Sequence, residues 1–576
     1  MRCGTSFYNG TLGKQLTLRF WPLIALNAVI WAIALPITGL TALRHDQVQS
    51  WVEDVSSIFR VMATPMAVVF GVLAAMAVCS HLYTTRSCNF TAALPPKRTA
   101  LFATHYLTGL LWLLVPVTVM TLLAAPLGLG YDLSVFGSGL VIVCMQFLFF
   151  YSFAVLCGML TGHLLALPVF YGIFNGLVGG LWFLLTLLFY EFYYGYPGSL
   201  TTVPVWVEWL TPTWQLWFNA IWENDWMSGV YAGVGLVMAL SAWLLYVKRP
   251  MERSGDVVIW AGLRPVFRYG VALCSGLTLG SFTRLVLGLG ELGLAVSVIL
   301  WGVAGCFVGQ MFLTKSVRVL RYWKGAGVVA CAFAALFLVM QFDLTGYESR
   351  VPATDEVASV TISGVDSYPT DTANGFLNIT TRDPEAIALI TQLHQTLVEQ
   401  RPNLQVADMY ENTKFEVTYT LSNGTRLSRS YRLILLQQDV TREDTVTYLA
   451  NQLVNHPGLM YQSYLFDQME KLAEDGYRLT SGTFYTRSGS DGSALSASQT
   501  RQVYQAIVQD IQEGNMPRSL FYDTTETYID LCWSTGRNSS SELEASYAAE
   551  PIRSRYITVN ISDTAVHTLA VLNQLN

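Results

Sequence analysis

The chain is 576 residues long, 52% hydrophobic and only 13% charged, with a net charge of −6. That apolar excess excludes a disordered chain, and the acidic balance supplies no basic surface for nucleic acid. Charge also divides along the chain: residues 1–342 carry 18 Lys+Arg and 11 Asp+Glu, whereas residues 343–576 carry 16 and 29.

Nine apolar stretches fill the first part, at 20–42, 60–83, 101–128, 133–161, 164–190, 228–247, 267–287, 291–313 and 325–342. About 20 apolar residues span a bilayer as a helix. Backbone polar groups in hydrocarbon must be satisfied within their own segment, so each stretch is predicted to be a transmembrane helix. Fifteen of the 18 basic residues fall in alternate segments: Arg2, Lys14 and Arg19; Arg86, Lys97 and Arg98; Lys248, Arg249, Arg253, Arg264 and Arg268; Lys315, Arg318, Arg321 and Lys324. The opposite loops hold Asp46, Glu53, Asp54, Asp132, Glu191, Glu208, Glu223, Asp225 and Glu291. The positive-inside rule then places the N-terminus in the cytoplasm and the polar tail outside the cell membrane. The first 19 residues lack the apolar core of a cleaved leader. Only Gly162-His163 separates the fourth and fifth stretches, so the count of nine rests on a break there.

Before the first span, residues 7–20 place Phe7, Tyr8, Leu12 and Leu16 at helical spacings. Two readings stand: a helix lying flat on the inner leaflet, or an ordinary basic flank. Between the second and third spans, RSCNFTAALPPKR (86–98) reads as a short helix ending at Pro95-Pro96, or as a merely basic loop. The loop 191–227 is loaded with aromatics and cut by Pro197, Pro204 and Pro212. Its Trp214, Trp217, Phe218, Ile221 and Trp222 have i, i+3, i+4, i+7, i+8 spacing, which predicts an amphipathic helix dipping into the outer leaflet, with a plain aromatic belt as the alternative.

The tail reads as α+β. Strands are expected at 357–362 and 376–379, a helix at 383–399 opened by Pro384, and a hairpin at 415–433 around Asn423-Gly424. A second cycle repeats the pattern with strands at 477–485, 527–533 and 556–561 and helices at 498–513 and 564–575. The Ser- and Gly-rich segments 488–497 and 534–541 are expected to be exposed loops. Of nine cysteines only Cys532 lies well inside the tail, so no disulfide can hold it together.

The fold expected is therefore a polytopic all-α membrane bundle of about nine transmembrane helices, followed by a soluble α+β domain. Chemistry is hard to place in it. No lysine completes G-x-x-x-x-G-K-[ST], no H-E-x-x-H or C-x-x-C occurs, and the seven histidines lack metal-ligand spacing. The match to G-x-G-x-x-G at 288–293 joins two membrane spans rather than a strand and a helix. No catalytic residue and no cofactor are expected. Arg284 is a basic residue inside a span, with Glu291 on roughly the same face; a structural pair and a substrate contact are both open. His105 and Gln146 are polar groups in apolar helices, suited to interhelical hydrogen bonds or to a pathway.

The order of these features resembles the permease subunits of ATP-binding-cassette transporters of the type-2 exporter class, in a Gram-positive branch carrying an extra outer domain. The likeness covers about residues 1–250 and lies in the N-terminal helix, the "LPPKR" loop entering "LFATHYLTGLLWLLVPV", and the aromatic segment before the sixth span. It implies a six-helix permease core at 1–250, three added helices at 251–342 and an extracytoplasmic domain at 343–576, in which the two strand–helix–strand cycles suggest two related halves. It also implies that Arg86, Phe90, Leu94, Pro95, Pro96, Lys97 and Arg98 couple to a separate ATPase subunit, beside a second permease copy or paralogue. An amphipathic peptide, antibiotic or lipid-like substrate would be exported, with Trp214, Trp217, Trp222, Arg284 and Glu291 as pathway candidates. The rival expectation is a sensor or immunity protein that binds an extracellular ligand through its tail.

Overall fold

The computed structural model describes residues 7–93, 96–198, 203–219, 226–365, 376–401, 412–474, 476–486, 492–521, 527–534 and 554–575. It divides into two compact units, Met1–Leu188 with Ser199–Leu338, and Phe189–Gly198 with Val339–Asn576.

Among the described residues, nine helices of the chain are long and apolar enough to cross a membrane, and a sheet-containing region follows them. In chain order the helices of this half are α1 (Gly10–Arg19), α2 (Trp21–Arg44), α3 (Val48–Leu82), α4 (Thr85–Ala92), α5 (Arg98–Gly128), α6 (Ser134–Leu160), α7 (Ala166–Phe192), α8 (Val205–Trp209), α9 (Pro212–Asn219), α10 (Trp226–Lys248), α11 (Leu263–Leu287), α12 (Glu291–Thr314) and α13 (Leu320–Gln341). The break at Gly162-His163 is real: α6 stops at Leu160 and α7 starts at Ala166. In α2, Pro36 has no N–H to give, and the helix absorbs the defect as a π turn at Ile33–Ile37. α3 begins twelve residues before its apolar stretch, because Trp51, Val52, Val55 and Phe59 form a buried stripe while Glu53 and Asp54 face outward.

α1 does form, and it and the two residues before it bond along α5. The Asn9 N–H donates to Thr104 Oγ1 (3.0 Å), Tyr8 Oη lies 3.3 Å from Thr108 Oγ1, and Trp112 Nε1 donates to Thr17 Oγ1 (3.0 Å). Thr104, Thr108 and Trp112 recur every four residues, which puts all three on one face of α5. α11 and α12 approach closely through glycine: a Cβ on Gly280 would meet Val298 at 2.6 Å, and one on Gly305 would meet Ser275 Oγ. Small residues at such positions let helices pack in lipid without an aqueous hydrophobic drive.

The second unit holds two four-stranded antiparallel sheets with identical connectivity. The first takes β1 (Val357–Gly364), β2 (Phe376–Thr381), α14 (Pro384–Gln400), β3 (Asn412–Leu421), β4 (Arg426–Ile434) and α15 (Val446–Val454), in the order β2-β1-β3-β4. After α16 (Pro457–Ser463) and α17 (Phe466–Leu472), the second takes β5 (Arg478–Thr486), β6 (Ser493–Leu495), α18 (Ala497–Glu513), β7 (Thr527–Ser534), β8 (Ser554–Asn560) and α19 (Val566–Leu575), in the order β6-β5-β7-β8. The stripe Ile387, Ile390, Leu393 and Leu397 is buried against Val360, Phe415 and Val417, and Val503, Ile507 and Ile511 do the same against Ile529 and Leu531. Gly424 closes the β3–β4 hairpin at φ +81, a conformation that favours glycine. Within the expected loop 488–497, Ser493–Leu495 pairs with β5 instead; of 534–541, Ser534 ends β7 and residues 535–541 lie outside the described residues.

This unit also takes in Phe189–Gly198, which the sequence divides between the end of the fifth apolar stretch and the aromatic loop 191–227. Ser430 N–H donates to Gly195 O (3.1 Å), Tyr194 N–H donates to Glu348 Oε1 (2.8 Å), and the Tyr194 and Tyr431 rings sit 5.0 Å apart. Gly195 adopts φ +79, and a Cβ there would strike the Tyr431 ring at 2.5 Å, so the close approach needs glycine. Beneath it, His394 bridges the hydroxyls of Tyr419 (3.1 Å) and Tyr431 (2.8 Å), and burial aided by the nearby Arg429 charge lowers its pKa to about 4.

Candidate functional site

The helical unit has two unlike ends. At the end where α6 stops, its last carbonyls have no partner within the helix. The segment following α10 supplies one to each in turn. Arg249 Nη1 donates to Gly158 O (3.0 Å) and Nη2 to Thr161 O (3.0 Å). Trp260 Nε1 reaches Met159 O (3.3 Å), Ile259 N–H reaches Leu160 O (3.1 Å) and Gly255 N–H reaches Gly162 O (2.8 Å). The Tyr83 hydroxyl adds a second donor to Gly158 O (3.2 Å), and Ser254 Oγ donates to Leu82 O at the end of α3 (3.1 Å). Arg249 is only 3% exposed, and a guanidinium at a helix C-terminus also meets the negative end of the dipole. Asp256 extends the lacing through ion pairs to Arg264 at the start of α11 (3.3 Å) and to Lys315 just after α12 (2.8 Å).

α4, the short helix expected in 86–98, stands at this end. Its Cys88 is buried, Arg86 is exposed and Phe90 is 69% exposed. It packs beside the Met251–Arg253 turn of the lacing segment. Lys97 and Arg98 are exposed at the start of α5, where Arg98 Nη1 donates to Val247 O (3.1 Å), and Pro96 is half-buried. Leu94 and Pro95 lie outside the described residues.

The opposite end is built differently. Thr64 Oγ1 of α3 donates to Gln146 Oε1 of α6 (2.8 Å), and Gln146 Nε2 donates to Ser228 Oγ of α10 (3.3 Å), all three side chains buried. Gln146 is twelve residues beyond Ser134, about 18 Å along α6 at 1.5 Å per residue. α10 therefore starts roughly halfway along its neighbour, and α8 and α9 occupy the level it leaves vacant. Tyr231 Oη donates to Trp209 O (2.7 Å), Gln215 and Leu216 are buried, and a Cβ on Gly179, near the middle of α7, would meet Thr211 Oγ1 at 2.9 Å. The segment between the fifth and sixth spans thus re-enters the bundle.

Between α7 and this segment lies a cleft of about 330 Å³, lined by Gly180, Trp182 and Phe183 on one side and Glu208, Thr211 and Trp214 on the other. Of the pathway candidates, Trp214 lines the cleft, with its ring tilted against that of Phe218 (centroids 4.4 Å apart); Trp217 is half-exposed on the same helix. Trp222 lies outside the described residues. Arg284 sits elsewhere, with Nε donating to Leu289 O (3.1 Å) in the turn that leads to Glu291, an exposed residue opening α12. His105 is buried, with Nδ1 2.8 Å from Leu101 O and its ring 4.2 Å from that of His81. Among the described residues, no group of three or more His, Cys, Asp or Glu side chains converges to hold a metal ion.

Two features of the site lie beyond sequence reasoning. Arg249 reads as one more basic residue of a flank, and its burial at a helix end depends on the turn at Pro250 bringing the chain back. Glu208 reads as a loop acid until the proline-cut segment folds inward. No protein-family model matches the chain, and no curated protein or solved structure matches it either.

Proposed function

We propose that the chain is the membrane subunit of an ATP-binding-cassette exporter in the cell membrane, its laced end in the cytoplasm and its tail outside. It works with a separate ATPase and with a second permease copy or paralogue. The observation that supports this best is α4 on its seat: a two-turn helix between the second and third spans that presents Phe90 outward from a base tied to the ends of α3, α6, α11 and α12. A partner that closes on nucleotide must push against something that does not yield, and the lacing supplies it. ATP shifts the equilibrium by binding one arrangement of the pair more tightly than the other. The re-entrant segment at the other end then forms the part that opens.

The test is Phe90→Asp. Interface energy concentrates in a few buried aromatic or apolar anchors, each worth about 2 kcal/mol or more. The variant is expected to lose co-purification with the partner ATPase and to lose stimulated ATP hydrolysis, while inserting and melting like the parent. Retention of both at the parent level would rule out α4 as the coupling element.

A further inference from the structure

The connector of residues 315–324 joins α12, which ends at Thr314, to α13, which begins at Leu320, so it stays level with the ends of two spans. Two kinds of side chain alternate along it. Val317, Leu320 and Trp323 recur every three residues and are 79%, 78% and 64% exposed. Arg318, Arg321 and Lys324 each follow one of them and are exposed as well. Val319 turns inward at 1% exposed, and Leu320–Tyr322 forms a 3₁₀ turn, in which residues three apart lie over one another. The connector therefore carries an apolar row beside a basic row.

The positive-inside rule accounts for the charges, but it asks for no exposed Val, Leu or Trp. Water opposes that exposure, and acyl chains at the level of a span's end relieve it. Charge adds a second demand. Lys315 pairs with Asp256 (2.8 Å), whereas among the described residues Arg318, Arg321 and Lys324 pair with no acid. Behind them, a Cβ on Gly325 would meet the Arg268 guanidinium at 3.0 Å. Arg268 lies over the Tyr269 ring (4.5 Å) and gives Nη1 to Gln310 Oε1 (3.3 Å), while its Nε is buried without a hydrogen-bond partner. The first turn of α13, with its free N–H groups and the positive end of the dipole, opens at the same place. Four cations and a helix N-terminus line this approach without a paired carboxylate, a setting suited to phosphate oxygens.

We propose that the connector is a binding site for an anionic phospholipid. Its phosphate is held by Arg318, Arg321 and Lys324, and its acyl chains lie along Val317, Leu320 and Trp323. The site stands whether or not the chain is an exporter.

The test is native mass spectrometry of the full chain, delipidated in detergent and offered equal amounts of dioleoyl phosphatidylglycerol and dioleoyl phosphatidylcholine. Each Lys or Arg near an anionic headgroup contributes about a factor of five, so two engaged together give the anionic lipid a preference of roughly twentyfold. Replacing all three, as Arg318→Gln, Arg321→Gln and Lys324→Gln together, should bring the two lipids within about twofold of each other. Removing the same charge elsewhere, with Lys14→Gln, Arg19→Gln and Lys248→Gln, should leave the preference in place. Leu320→Ser with Trp323→Ser should weaken both lipids several-fold and keep their ratio. All these positions are exposed, so each variant is expected to melt with the parent. Equal retention of the two lipids by the parent overturns the proposal without reference to any variant. So does a preference that survives the triple change in the connector. A preference lost equally in the distant triple variant would be an effect of net charge, and it too overturns the site. Unchanged retention in the serine variant overturns the acyl row. Excess glycerol 3-phosphate should fail to displace the lipid; if it succeeds, the ligand is a free phosphate and the lipid site is ruled out.

Discussion

The two ends of the helical unit solve the same problem in opposite ways. Where α6 stops, five successive carbonyls from Gly158 to Gly162 each receive a donor from the segment 249–260. At the other end α10 begins about halfway along α6, and the level it leaves is filled by helices of five and eight residues beside a cleft. The composition of the spans is similar throughout, so hydrophobicity does not make this difference. What differs is where donors fall: Arg249, Trp260 and the backbone N–H groups of Gly255 and Ile259 meet the last carbonyls of α6 at one end, with no such set at the other among the described residues. One end is closed by a run of hydrogen bonds to a buried arginine and its neighbours; the other is closed largely by side-chain packing.

The sharpest way to break that contrast is at Arg249. Its guanidinium makes two charge-assisted hydrogen bonds, each worth about 1.5–3 kcal/mol when buried, and Arg249→Ala takes the guanidinium donor from Thr161 O and leaves Gly158 O to the Tyr83 hydroxyl. A loss of roughly 3 kcal/mol or more is expected, read as a drop of several degrees in the melting temperature of the detergent-solubilised chain. Arg249→Lys keeps the charge and loses the fork that reaches Gly158 and Thr161 together, so an intermediate loss is expected. If Arg249→Ala melts with the parent, the lacing is ornament and both ends are held by packing alone.

How much of this was readable in the residues depends on how local the signal is. The nine spans follow from runs of apolar residues, and the tail's strands and helices follow from periods of 2 and 3.6 together with Asn423-Gly424 and Pro384. The start of α3 escaped a search for apolar runs because Trp51, Val52, Val55 and Phe59 are interleaved with Glu53 and Asp54, a pattern visible only as a period. α15, α16 and α17 also escaped: they are short, and α16 and α17 are buried by neighbours far away in sequence. The attachment of Phe189–Gly198 to the tail's sheet depends on Gly195 meeting Tyr431 across more than 200 residues of chain. Arg86 and Phe90 lie on α4, and Arg98 opens α5. The pathway set does not come together: Trp214 lines the cleft, whereas Arg284 and Glu291 belong to the α11–α12 turn.

A smaller effect sharpens the picture of the re-entrant end. Gly179 and Gly180 are neighbours, yet a Cβ on the first meets Thr211 at 2.9 Å and one on the second meets nothing within 4 Å. Gly179→Val is expected to cost about 1–3 kcal/mol by forcing the segment away from α7. Gly180→Val should leave the melting temperature within a degree or two of the parent. Equal losses at both positions would mean that the segment does not pack on α7 at Thr211.

The smallest effect belongs to the chain Thr64–Gln146–Ser228, although it looks the most polar feature of the bundle. Gln146→Leu keeps the volume and removes both interhelical bonds. The Thr64 hydroxyl left behind is not stranded, because a Thr in a helix can turn back to the carbonyl four residues earlier. Interhelical hydrogen bonds in membranes average about 0.6 kcal/mol, because the separated helices also find partners. A loss of that order is expected for Gln146→Leu. A double-mutant cycle with Thr64→Val, which lacks the donor to Gln146 Oε1, should give a coupling of about 0.5 kcal/mol. A coupling above about 2 kcal/mol would show that the re-entrant end is pinned as firmly as the laced one. The open end would then need another source of freedom than weak polar contacts.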